Sequence, residues 1–101
     1  MDEPRLAVDK EAIEALAHRW GIRELALFGS VLRDDFREDS DVDVLVQFAP
    51  DVQHSLFDLA ELGHTLEVMF HRPVDVVEKA SLRNPFRRNH ILQTARVLYA
   101  A

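Results

Sequence analysis

Apolar residues recur along this chain with two different periods, and the switches between them outline its elements. Ile13, Leu16, Ala17 and Trp20 fall at i, i+3, i+4 and i+7, one stripe of a helix that Asp9 caps and Gly21 ends. Glu11 lies in the first turn of that helix, where a negative charge suits the dipole. The run RELALF at 23–28 is dense enough in apolar residues to predict a strand covered on both faces. Gly29-Ser30 breaks it and predicts a short helix from Ser30 to about Asp34, followed by a charged loop, DDFREDS. Residues 41–48, DVDVLVQF, return to period two, with Asp41, Asp43 and Leu45 on one face and Val42, Val44 and Val46 on the other.

Downstream, Pro50 ends the second strand, and Ser55 with Asp58 forms a capping box for a helix running to about Phe70. Leu56, Leu59, Ala60, Leu62, Leu66 and Met69 are expected to face its core, with Gly63 marking a close crossing. Arg72-Pro73 breaks the helix, and Val74-Asp75-Val76-Val77 predicts a third short strand. Asn84 and Pro85 supply the cap and first position of a last helix running through Ile91 and Leu92. The closing ARVLYA fits either a continuation of that helix or an edge strand.

A chain of 101 residues, 48 % hydrophobic, is expected to form one domain with a modest core. It has no cysteine, which rules out disulfides and thiolate metal sites and fits a reducing cytoplasm. No apolar run approaches the roughly 18 residues of a membrane span, and the N-terminus lacks a signal-peptide core. The net charge of −6 argues against stable binding to a nucleic-acid backbone, though metal ions can still bridge acidic groups to the phosphates of a nucleotide.

The candidate chemistry lies in residues 25–48. Asp41 and Asp43, two apart on a strand, share a face with alpha carbons roughly 6.5–7 Å apart. Such a pair resists joint ionisation unless a cation sits between the two, and Mg²⁺ prefers oxygen ligands of this kind. Asp75 supplies a third carboxylate if its strand lies beside the second. Three carboxylates on neighbouring strands can hold two metals about 3.5–4 Å apart, a clamp for phosphoryl displacement. A bare D-x-D on a strand reads as a solvated polar face; here the strand is otherwise apolar and begins beside a glycine turn. Gly29 permits close backbone approach, the following helix start favours an anion, Ser30 offers a hydroxyl and Arg33 a fork of donors. Taken alone, Gly29-Ser30 is an ordinary strand-to-helix turn; beside the carboxylates it makes an anion site coherent.

Gly29-Ser30, ten intervening residues and Asp41-Val42-Asp43 form the pattern G-S-x₁₀-D-x-D. This resembles the DNA polymerase β-like nucleotidyltransferases, and GSVLRDDFREDSDVDVLV resembles their minimal members in particular. The resemblance runs from the first helix to the tail ILQTARVLY. It implies an α/β fold, a small mixed sheet of three to four strands backed by helices. It also implies that Gly29 and Ser30 hold a nucleoside triphosphate and that Asp41 and Asp43 bind two Mg²⁺. Asp75, in RPVDVV, would bind one of these metals and help activate an acceptor hydroxyl. One departure is Asp34, where members often carry glycine; its negative charge opposes nucleotide binding unless it points away. Many minimal nucleotidyltransferases are antitoxins of HEPN ribonuclease toxins, and some transfer AMP from ATP to a toxin tyrosine. The expected activity is therefore Mg-dependent AMP transfer to a HEPN partner in the cytoplasm. The alternative is a catalytically silent module that covers its partner's active site.

The five histidines show neither an i, i+4 helical pair nor an HExxH motif, so a zinc site is not expected. Arg83, Arg87 and Arg88 read as a solvated basic patch, with phosphate or partner contact as the functional option. Tyr99 reads as a packing residue rather than a self-modification site.

Overall fold

The stripe after Asp9 folds as α1 (Lys10–Trp20) in a computed structural model that describes residues 8–29 and 41–101. Asp9 Oδ1 accepts hydrogen bonds from the amides of Glu11 and Ala12 at 3.0 and 3.3 Å. Gly21 ends the helix at φ +67°, where a side chain is strained. The predicted helix from Ser30 to Asp34 lies outside the described residues.

Among the described residues four strands make one mixed sheet in the order β3-β2-β1-β4. β1 (Ile22–Phe28) runs antiparallel to both β2 (Val42–Phe48) and β4 (Arg96–Ala100), and β2 runs parallel to β3 (Val74–Glu78). Parallel neighbours need a long crossover, which α2 (Leu56–Phe70) provides. The closing ARVLYA is thus an edge strand. α3 (Pro85–Thr94) stops at an extended Ala95, and the β-branched and aromatic residues that follow pair with β1.

Period two divides the strands between two cores. Leu25, Leu27, Val42, Val44 and Val46 pack against Ile13, Leu16, Trp20, Leu62, Leu66 and Phe70 of the helices. Fully burying a Leu or Val of this kind contributes about 1.5–3 kcal/mol. On the opposite face Ala26, Phe28 and Leu45 meet, among the described residues, Leu82 and Ile91 as buried partners, a smaller cluster under the 3₁₀ turn Lys79–Ser81 and α3.

The Ser55–Asp58 capping box forms as expected: each side chain binds the other's amide, at 3.2 and 2.9 Å. The ionised carboxylate is the better acceptor for the Ser55 amide, and this bond holds Asp58 below the usual carboxylate range. One expectation fails on α2. Leu56 is 83 % exposed and Ala60 is exposed, while Leu59 is only partly buried. At about 100° per residue, Leu62, Leu66 and Met69 form one stripe; Leu56, Leu59, Ala60 and Gly63 form a second, rotated away from it. Only the first stripe faces the core. A Cβ on Gly63 would lie 3.5 Å from Val76 Cγ2, ordinary contact, so the crossing there is close without demanding glycine.

Candidate active site

In the parallel register of β2 and β3, Asp43 sits directly beside Asp75. In-register residues on neighbouring strands point to the same face with backbones about 4.8 Å apart. The antiparallel register of β1 and β2 sets Phe28 on the other flank of Asp43. One row across the sheet therefore reads Phe28, Asp43, Asp75, on the face of the smaller core. Asp41 lies immediately before β2, two residues from Asp43; Asp41 and Asp75 are exposed and Asp43 is partly buried.

Gly29 completes this end of the sheet. Its φ of +78° is in the left-handed region, and a Cβ there would collide with the Asp43 carboxylate. Only glycine gives that carboxylate its place against the backbone. Ser30 and Arg33, the other expected nucleotide-binding residues, and Asp34 lie outside the described residues.

The donor set suits a hard divalent cation. Two carboxylates stand in register on one face with a third two residues away, all offering oxygen, and the cradle at Gly29 is one that a Cβ would fill. Among the described residues no three acidic, histidine or cysteine side chains converge as a ready metal cage.

Other candidates have structural roles. His54 lies against the Trp20 and Phe48 rings, with Nε2 2.8 Å from the Trp20 carbonyl oxygen and Nδ1 3.6 Å from an Asp58 oxygen. It ties the end of α1 to the start of α2. Arg88 donates to the carbonyls of Lys79 and Leu82 at 3.5 and 3.4 Å, bracing the 3₁₀ turn. Arg83 and Arg87 are exposed on the α3 side. Tyr99 pairs with Leu25, packs against the larger core and meets His18 edge-on, so its ring lies on the sheet face opposite the carboxylates. Sequence reasoning missed Glu67, whose Oε2 accepts the Val74 amide at 3.1 Å and fastens the start of β3 to α2. A contact between a helix and the strand after it leaves no periodic signal.

Residues 9–98 match the family described as Nucleotidyltransferase domain. This chain belongs to that family. It is 44 % identical over 69 residues to the protein adenylyltransferase MntA of Thermococcus cleftensis, covering 68 % of each chain. A relative in Methanocaldococcus jannaschii is 34 % identical over 86 residues, 85 % of this chain and 89 % of its own. A solved structure described as a minimal nucleotidyltransferase superposes with TM-score 0.69 at 38 % identity, covering 85 % of each chain. A toxin–antitoxin structure with AMP-PNP superposes with TM-score 0.73 at 20 % identity, over 93 % of this chain and 75 % of its own; it shares the fold. No helix among the described residues is long and apolar enough to cross a membrane. Membership implies catalysis that depends on a nucleotide and a metal.

Proposed function

We propose that this domain transfers AMP from ATP to a hydroxyl of a HEPN-type toxin partner, with a tyrosine as the preferred acceptor, and so acts as an antitoxin in the cytoplasm. The observation that carries this reading is the in-register pair Asp43 and Asp75 beside Gly29. Oxygen donors so placed suit work on a phosphate through a cation. The 44 % identity to a protein adenylyltransferase supports the same chemistry.

In this reading Asp41, Asp43 and Asp75 hold two Mg²⁺, which supply charge neutralisation for the triphosphate. Gly29, Ser30 and Arg33 hold and orient the triphosphate. The acceptor oxygen forms a bond to the α-phosphorus as the bond from that phosphorus to the pyrophosphate oxygen breaks. The acceptor proton passes to the Asp75 carboxylate, and pyrophosphate carries away the leaving charge. The residues contribute mainly by positioning and electrostatics.

The test mixes the protein with its HEPN partner, ATP and Mg²⁺ and follows the intact mass of the partner. Addition of AMP by the wild type and none by the Asp41→Asn, Asp43→Asn double variant is the expected result. If that variant neutralises the toxin as well as the wild type does, the protein acts as the silent covering module instead.

A further inference from the structure

Among the described residues β3 is an edge strand, and the hydrogen bond from the Val42 amide to the Pro73 carbonyl at 2.8 Å sets the parity of its ladder. Pro73, Asp75 and Val77 turn their main-chain groups toward β2, so Val74, Val76 and Glu78 turn theirs to the open edge. Glu67 already takes the first of those amides, that of Val74. The next outward groups are the Val74 carbonyl and both main-chain groups of Val76. On the α2 side, the edge borders a groove of about 360 Å³ whose apolar lining is Leu56, Leu59, Ala60, Gly63, Val74 and Val76. This is the second stripe of α2, the one that misses the core. On the other side of the same strand stands Asp75, exposed and in register with Asp43.

We infer that this edge receives the acceptor: an extended segment of the partner protein adds to β3 as a further strand, carrying a hydroxyl residue between two apolar ones. The inference rests on the AMP-transfer reading. A strand's side chains alternate, so the residue paired with Asp75 projects beside it, roughly 5 Å away on the carboxylate face. Its neighbours project into the groove under α2. Main-chain bonds supply affinity and the groove supplies specificity, the usual division of labour in strand addition. From Ser55 to Glu78 the acids are Asp58, Glu61, Glu67, Asp75 and Glu78, against Arg72 as the one Lys or Arg. The complementary segment therefore carries Lys or Arg flanking its apolar residues. Docked this way, the acceptor hydroxyl gives its proton to Asp75 while its oxygen attacks the α-phosphorus of ATP and pyrophosphate leaves.

Two variants of the full chain test this. Val76→Pro removes an amide that points away from β2, so the β2–β3 ladder stays intact. Gly63→Leu keeps every main-chain group and fills the groove. With the HEPN partner, ATP and Mg²⁺, each variant is expected to raise the KM for the partner about tenfold or more, a loss of roughly 1.4 kcal/mol in affinity, with kcat little changed. ATP binding without partner, read as the shift in Tm, is expected to match the wild type. Wild-type transfer with both variants equal to it overturns strand docking and leaves the functional reading standing. Absence of wild-type transfer to the partner overturns that reading, and the docking with it. A homodimer that both variants dissolve while transfer is unchanged assigns the edge to a second copy and overturns the proposal. Circular dichroism reports folding; if Val76→Pro unfolds, Gly63→Leu decides.

Discussion

The two faces of the sheet differ sharply, although the same strands build both. Toward α1 and α2, Val42, Val44, Val46, Leu25 and Leu27 are all 0 % exposed. Toward α3, Leu45 and Phe28 are covered, but the row ends in a partly buried Asp43 and an exposed Asp75. One face spends its alternate positions on closure; the other stops closing where the carboxylates begin. Because period two separates the two sets, a change to one side chain of β2 should act on stability or on chemistry, not on both.

The largest effect expected from breaking this comparison is on activity. Replacing Asp41 and Asp43 by Asn should lower AMP transfer by about two to three orders of magnitude or more. The same variant should remain folded, because neither carboxylate belongs to the buried apolar core. Kinetics of transfer together with a thermal melt check both halves. On the other face, Leu66→Ala should cost about 2–5 kcal/mol of stability, since Leu66 is 0 % exposed. Denaturant unfolding reads that cost, and turnover per folded molecule should stay near wild type. Gly29→Ala is the change that should cross the divide. It meets the Asp43 carboxylate and a φ of +78° at once, so about 1–3 kcal/mol of strain should accompany weaker ATP binding. Unfolding and ATP titration of one sample test the pair of effects.

The smallest effect is at the α2 cap, far from either divide. Ser55→Ala should cost about 1 kcal/mol. Asp58 has its pKa depressed in the folded protein, so its contribution is present above the ordinary carboxylate pKa near 3.8 and is lost as pH falls through the folded value. Asp58→Asn should therefore flatten the acid limb of the stability profile; melts across pH 2–6, roughly, would show it. An unchanged acid limb would remove Asp58 from that account.

Much of this was legible in the residue order. The caps at Asp9, Ser55 and Asn84 formed where local hydrogen-bonding chemistry put them, and the G-S-x₁₀-D-x-D spacing pointed to the family that the comparisons establish. Leu56 belongs to the second of two apolar stripes on α2, and periodicity alone does not say which one finds a sheet beneath it. ARVLYA was ambiguous because its residues suit a strand only if a strand edge is there to receive them.

The sequence by itself determined the periods, the helix ends and the pair Asp41–Asp43, since each depends on groups within a few residues of one another. Only the tertiary structure decided that Asp75 stands beside Asp43, that Gly29 makes room for that carboxylate, and that β3 is, among the described residues, an edge strand. Those relations depend on register between distant segments. Register is set by the summed burial of Val42, Val44 and Val46 against α2 and the neighbouring strands, not by any one local preference.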